Sequence, residues 1–256
     1  MSAPFVTSLF LDDDRPLTEG EFPGSLAFTR DLDLEFNAPV TFFVGENGSG
    51  KSTMLEAMAV LARLPICGGS LNESGKNHAF AEQSLLAKSL RMAFVRQPKD
   101  RYFFRAETQA HLASLLDSHR EDPEFAGDPY GRYGGRLLHQ MSHGEAFLSI
   151  MMNRFDHGLF FMDEPESALS PQRQLTLLAL MHKLVQTEKS QFFVATHSPI
   201  LLTYPGATIV SFDSGWLVKV SLEGTTHFQI TRDLLNNPEM YWRHLATAGG
   251  AKSGDE

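Results

Sequence analysis

Apolar residues fall into short, sharply bounded runs. Val40-Thr41-Phe42-Phe43-Val44, set between Pro39 and Gly45, is β-branched and aromatic throughout and predicts a buried strand. Leu159-Phe160-Phe161-Met162 and Phe192-Phe193-Val194-Ala195 have the same character. Upstream, Leu32, Leu34 and Phe36 alternate with Asp31, Asp33 and Glu35, the pattern of a half-buried strand. Met54, Leu55, Met58, Leu61 and Ala62 recur at helical spacing, and Pro65 and Gly68-Gly69 end that helix. Gln172–Glu188 predicts a second helix. Thr208–Phe212 and Trp216–Val220 flank Asp213-Ser214-Gly215 as a hairpin, and Thr231–Leu245 reads as a closing helix.

The middle of the chain is mixed. Ser84–Ser89 and Ala110–Leu116 read as helical, and Arg91–Arg96 and Tyr102–Arg105 as strands around Gln97-Pro98-Lys99-Asp100. His119–Gly135 reads as an irregular loop, rich in Asp, Pro, Gly and Arg. Strand–helix alternation on both sides of this middle predicts an α/β sheet with a smaller, partly helical lobe inserted.

Composition removes several classes. The 256 residues carry 22 Lys+Arg against 31 Asp+Glu, a net charge of −9, which disfavours an extended nucleic-acid surface. Apolar runs such as Met58–Ala62 and Leu177–Met181 fall far short of the roughly 18 residues of a membrane span. No basic residue precedes Arg15, so no secretory leader is expected and cytoplasm is the expected location. The single cysteine, Cys67, excludes an internal disulfide and reads as a small buried hydrophobe.

The chemistry begins where the first buried strand ends. Gly45-Glu46-Asn47-Gly48-Ser49-Gly50-Lys51-Ser52 matches G-x-x-x-x-G-K-[ST], after a strand and before a helix that opens with Thr53 in its first turn. Glycines let backbone N–H groups curl around phosphates, and the helix start adds positive potential. Lys51 supplies a point charge to the terminal phosphates, and the Ser52 hydroxyl suits Mg²⁺. ATP and Mg²⁺ are therefore the expected ligands, held by residues 45–53. The strand Leu159–Met162 then delivers Asp163-Glu164-Pro165, the Walker B pattern. Asp163 is the expected metal ligand and Glu164 the expected general base.

Met141-Ser142-His143-Gly144-Glu145 has two readings. Ser142 and Glu145 form a capping box, S-x-x-E, before the apolar helix Ala146–Phe155. The same segment resembles the signature of ATP-binding-cassette (ABC) ATPases, usually Leu-Ser-Gly-Gly-Gln, with Ser142 and Gly144 in the serine and second-glycine places. Ser167-Ala168-Leu169-Ser170 resembles the D-loop Ser-Ala-Leu-Asp, with Ser170 in place of the aspartate. His197, before Ser198-Pro199, resembles the switch histidine. Gln97 and Glu107 are both candidates for the Q-loop residue, and Phe22 and Phe28 for an adenine-stacking aromatic.

The stretches "GENGSGKST", "SHGE", "DEPESALSPQRQL" and "ATHSPILL" resemble stand-alone bacterial ATPases of the cassette superfamily, described as AAA-family ATPases. Their relatives include SMC and RecF-type ATPases and transporter nucleotide-binding subunits. The resemblance implies ATP hydrolysis by one ABC-type domain over 1–246. Its core lobe is about 1–66 and 156–246, its inserted lobe about 67–155, and a disordered tail covers 247–256. It further implies an ATP-dependent homodimer, with Lys51 and Ser52 of one chain facing Ser142 and Gly144 of the other. Catalytic roles fall to Lys51, Glu164 and His197. The output is open between a switch on a macromolecular partner, a transporter subunit docking on a membrane protein, and a DNA-maintenance or defence ATPase. The basic run Arg91, Arg96, Lys99, Arg101, Arg105 is either a solvated face or a nucleic-acid surface. A non-hydrolysing ATP sensor is disfavoured by Glu164.

Overall fold

The computed structural model describes residues 4–66, 68–70, 84–105, 109–122, 127–137, 140–154, 157–187 and 189–249. Two sheets carry the fold. Strands β1 (Val6–Leu11), β2 (Asp33–Glu35) and β4 (Leu90–Phe94) pair antiparallel in the order β2-β1-β4. Strands β3 (Val40–Val44), β5 (Arg101–Arg105), β6 (Gly158–Asp163), β7 (Ser190–Ala195), β8 (Thr208–Ser211) and β9 (Val218–Val220) form the larger sheet, ordered β5-β6-β7-β3-β8-β9. Its neighbours run parallel except for the β8–β9 hairpin. The helices are α1 (Lys51–Leu61), α2 (Gln109–Glu121), α3 (His143–Arg154), α4 (Pro171–Gln186), α5 (Thr226–Asn236) and α6 (Pro238–Gly249). Among the described residues no helix is long and apolar enough to cross a membrane. The expected α/β class with a mixed sheet holds.

Aromatic doublets build the core. Successive strand residues point to opposite faces, so each Phe-Phe pair feeds both sides of the sheet. Phe42, Phe160 and Phe192 face one side with Phe147 of α3 and Leu177 of α4. Phe43, Phe161 and Phe193 face the other with Phe36, Met54 and Met58. In the β6–β7 register Phe160 sits opposite Phe192 and Phe161 opposite Phe193. Their rings stack at centroid distances of 4.9 Å and 5.6 Å.

One buried polar group joins the two sheets. Gln191, fully enclosed in β7, accepts from the Val6 N–H at 2.8 Å and donates to the Val6 carbonyl at 2.9 Å. Both backbone groups of Val6 are thereby satisfied where water cannot reach.

The structure changes several expectations. The strands around Gln97–Asp100 separate, β4 into the small sheet and β5 into the large one beside β6. Residues 67–155 are thus not wholly an inserted lobe, because β4 and β5 are sheet members; α2 and α3 come after them. α2 runs on to Glu121 and a 3₁₀ turn spans Gly131–Tyr133, inside the stretch read as irregular. Ser84–Ser89 narrows to a 3₁₀ turn at Leu86–Ser89. The closing helix is two, broken at Asn237 (φ −145°, ψ 72°) because Pro238 bars its predecessor from helical geometry. α6 continues to Gly249, into the segment expected to be disordered; the rest of that tail, and Cys67, lie outside the described residues.

Phe193 has rings of Phe36, Phe43 and Phe161 within 4.8–6.2 Å. Phe193→Ala is expected to lower unfolding free energy by about 3–5 kcal/mol. Leu235→Ala, at a residue 74% exposed, is expected to stay within about 0.5 kcal/mol of wild type. Urea titration of both variants checks the contrast.

Candidate functional site

Parallel strands place their carboxyl ends on one edge, where crevices between α/β connections form sites. β3 ends at Val44 and turns through residues 45–50 into α1. β6 ends at Asp163, and β7 leads through Thr196 to His197. Lys51, Ser52, Asp163, Glu164 and His197, far apart in sequence, are brought together here.

Lys51 is buried and folds over its own loop, donating from Nζ to the Gly45 carbonyl at 2.6 Å and the Glu46 carbonyl at 3.0 Å. Burial lowers its pKa; Glu164, Asp213, Asp163 and Glu46 pull the other way without overcoming that loss of solvation. The loop's shape depends on Gly50, at φ +99°, where a Cβ would meet the Phe28 ring at 2.4 Å. Asp213, read from sequence only as a turn residue, accepts from the Glu46 N–H at 2.9 Å and braces the loop.

Ser52 donates to Asp163 Oδ1 at 2.9 Å. Arg105 of β5 approaches Asp163 Oδ2 at 3.7 Å and pairs with Glu56 at 2.6 Å. Burial nevertheless pushes the Asp163 carboxyl up. A hydroxyl and a carboxylate side by side are hard oxygen donors, the set Mg²⁺ accepts alongside phosphate oxygens. The Ser49 hydroxyl is buried in the loop with no partner among the described residues, and suits a phosphate oxygen. The residues present therefore fit Mg²⁺ with a triphosphate.

Glu164 occupies the left-handed region (φ 46°, ψ 55°), uncommon for a residue with a Cβ. Its N–H donates to the Ala195 carbonyl at 2.9 Å, which ties the turn to β7. Its Oε1 lies 3.4 Å from His197 Nε2. The His197 N–H donates to Glu166 Oε1 at 2.6 Å. Burial, followed by Lys51 and His227, holds the His197 pKa below the ordinary 6.5. Two partners here carried no sequence signal. Glu166 sat inside a motif read for its neighbours, and His227 opens a helix 30 residues further on.

The remaining candidates divide. Ser142 and Gly144 meet α4 and the turn before it. The Ser142 N–H and hydroxyl both donate to Glu145 Oε2 at 2.9 Å, and Arg173 donates to the Ser142 oxygen at 2.9 Å and pairs with Glu145 Oε1 at 3.1 Å. The capping box is therefore formed. Gly144 is a close-approach glycine, since a Cβ would stand 2.5 Å from the Ala168 carbonyl oxygen. Gln97 accepts from Arg101 at the opening end of β5, opposite the edge that carries Asp163. It does not serve the site, because parallel strands put their functional ends together. Glu107 lies outside the described residues. A cleft of about 530 Å³ beside the loop is lined by Phe28, Asn47, Ser49, Gly215 and Thr226, among others. Of the two candidates Phe28 lines the cleft, together with Phe212, although Phe28 is only 3% exposed; Phe22 is 57% exposed and does not line it. The basic run is divided: Arg91, which pairs with Asp12, Arg96, which lies over the Phe5 ring, and Lys99 are exposed, whereas Arg101 bonds the Ala62 carbonyl and Arg105 turns to Glu56.

Known proteins are similar to this chain. An AAA-domain family model matches residues 24–97, and a model described as "AAA domain, putative AbiEii toxin, Type IV TA system" matches residues 95–203. The cobalt import ATP-binding protein CbiO of Salmonella typhi is 25% identical over 182 residues, 65% of either chain. The petrobactin import ATP-binding protein FpuD of Bacillus anthracis is 25% identical over 194 residues, 68% of either chain. One chain of an ABC transporter solved in an inward-facing conformation superposes with a TM-score of 0.51 over 90% of this chain and 88% of its own, at 16% identity. These likenesses are to AAA-domain and ATP-binding-cassette ATPases, and the fold is shared with the solved transporter chain. The chain spans about 65% of the length of the CbiO relatives it matches.

Two outcomes follow from this geometry. Gly144→Ala pushes a Cβ against backbone that cannot swing away, so a loss of about 1–3 kcal/mol is expected, visible as a lowered Tm. His197 binds a proton less readily folded than unfolded. The unfolded state therefore takes up more protons as pH falls below 6.5, and stability drops there. His197→Gln is expected to be less sensitive than wild type between pH 6.5 and about 5, by parallel urea titrations.

Proposed function

We propose that this chain binds Mg·ATP in the cleft at residues 45–53, hydrolyses it, and uses the cycle to close and open a homodimer. The observation that carries this is the meeting of Lys51, Ser52, Asp163, Glu164 and His197 on one sheet edge. The loop N–H groups and Lys51 hold the phosphates, with Gly45, Glu46, Asn47, Gly48, Ser49, Gly50 and Thr53 shaping the cradle. Ser52 and Asp163 hold the metal, which supplies charge neutralisation at the terminal phosphates. Glu164 orients and deprotonates the attacking water, and His197 donates toward the transferred phosphoryl group.

One chain leaves that group open on one side. Ser142 and Gly144 are fixed to α4 by Arg173 and sit at a helix start, which favours anions. In the proposed dimer they cover the partner's ATP. Hydrolysis removes those contacts and the pair opens, a two-state switch biased by nucleotide.

The partner class is read from the relatives. CbiO and FpuD are both named as import ATP-binding proteins, which favours a membrane transport component as the body this ATPase drives. A soluble macromolecular partner is the second reading, favoured by the two AAA-domain matches. The net charge of −9 and the inward turn of Arg101 and Arg105 give a nucleic-acid partner no support.

Lys51→Ala is expected to abolish ATP binding. Glu164→Gln is expected to cut turnover by at least about 100-fold while retaining ATP, and to elute as a dimer with ATP and Mg²⁺ in size exclusion. A monomer under those conditions overturns the closure. The trapped variant, purified from detergent-solubilised cells, is expected to retain an integral membrane protein; soluble proteins alone count against the transport reading.

A further inference from the structure

The His197 ring has a neighbour at each nitrogen. Nδ1 lies 2.9 Å from His227 Nε2, with the ring centroids 4.9 Å apart at 67°. Nε2 faces Glu164 Oε1 at 3.4 Å. His227 Nδ1, the outer nitrogen of the second ring, and His197 Nε2 are both buried without a hydrogen-bond partner among the described residues, so Glu164 is a charged neighbour of Nε2 and not a bonded one.

Only one proton shares the bond between the rings, so there are two arrangements. In the first, His197 Nδ1–H donates to a bare His227 Nε2. The His227 proton then sits on Nδ1, an N–H stranded in a buried place. His197 Nε2 becomes a bare acceptor facing a carboxylate oxygen. Both consequences are unfavourable. In the second, His227 Nε2–H donates to a bare His197 Nδ1. The stranded atom is then an unprotonated nitrogen, which is cheaper to bury without a partner than an N–H. His197 carries its proton on Nε2, directed at Glu164. A doubly protonated His197 is opposed by burial and by Lys51.

We propose that His227, at the start of α5, is a positioning residue that fixes the tautomer and ring orientation of His197, so that His197 Nε2–H points into the catalytic edge. The proposal rests on the hydrolytic reading of the site. It gives His197 two hydrogen-bonded holds, the Glu166 carboxylate on its backbone N–H and His227 on Nδ1, with the Glu164 carboxylate as a charged neighbour of Nε2. A group that hydrogen-bonds the far nitrogen of an acting imidazole sets which nitrogen carries the proton. Thr226, next to His227, lines the cleft beside the phosphate loop. The seating of α5 therefore reaches both the cleft and the catalytic histidine.

The test combines kinetics with a direct reading of protons. His227→Ala is expected to lower kcat about 10-fold or more with KM for ATP within about twofold of wild type. His227→Gln puts an amide N–H near the place of Nε2–H and is expected to recover most of kcat. In a His197→Ala background, adding His227→Ala is expected to change nothing further. A His227→Ala enzyme within twofold of wild type overturns the proposal, as do equal losses for the Ala and Gln variants or a further loss in the His197→Ala background. Long-range ¹H–¹⁵N correlation spectra of the wild-type chain are expected to show the His197 proton on Nε2; a proton on Nδ1 overturns it. Wild-type protein that hydrolyses no ATP sinks the functional reading instead, and the spectra still decide the tautomer.

Discussion

The β6–β7 register is the constraint on which the site depends. Phe160 against Phe192 and Phe161 against Phe193 lock it from both faces at once. A slip of one residue would send each ring to the opposite side, exchanging two packed cores, so register is specified strongly. The same ladder sets Asp163 opposite Ala195, and the next N–H, that of Glu164, donates to the Ala195 carbonyl. The short distance between Glu164 and His197 then follows from the ladder, since both lie just past its last pair, Asp163 and Ala195. β3 lies on the other side of β7, with Phe43 opposite Ala195, so the loop that follows Val44 emerges on the same edge. Hydrophobic packing places the charges; the charges do little to place themselves.

That division of labour shows in the electrostatics. Lys51 has four carboxylates around it, yet burial still lowers its pKa; Asp163 has Arg105 and Ser52, yet burial still raises its pKa. Desolvation is the first-ranked cause in both, so the ionised forms are held at a disadvantage by the fold. Glu166 follows the same rule despite accepting the His197 N–H. In the proposed reading, phosphate oxygens would give the Lys51 ammonium acceptors and Mg²⁺ would favour the ionised form of Asp163.

What the sequence disclosed follows from the range of each interaction. β3, β6 and β7 were legible because a continuous apolar run bounded by turn residues has one sensible place. The loop at 45–52 was legible because its glycines and lysine act within a single turn. Gln191, Asp213 and His227 were not, because each works through a partner far along the chain: Val6, Glu46 and His197. Gln97 looked suitable by distance from Lys51 and failed because sequence separation does not say which end of a strand a residue occupies. The break at Pro238 follows from proline chemistry alone, because proline bars its predecessor from helical geometry.

The signature turn shows how closure acts on groups that are already satisfied. The Ser142 hydroxyl has one proton, and it is given to Glu145; its oxygen accepts from Arg173. To donate to a phosphate across the proposed dimer, Ser142 must withdraw that proton from a carboxylate. Glu145 then keeps the Ser142 backbone N–H and the Arg173 contact, so it is not left bare. Where the common signature has a neutral glutamine, Glu145 brings a negative charge toward the approaching phosphates. Arg173 is the group that offsets it, lying against Glu145 and Ser142 together. The departure from the common signature and the arginine that answers it therefore belong to one arrangement, and Gly144 gives α3 the close approach to α4 on which that arrangement stands.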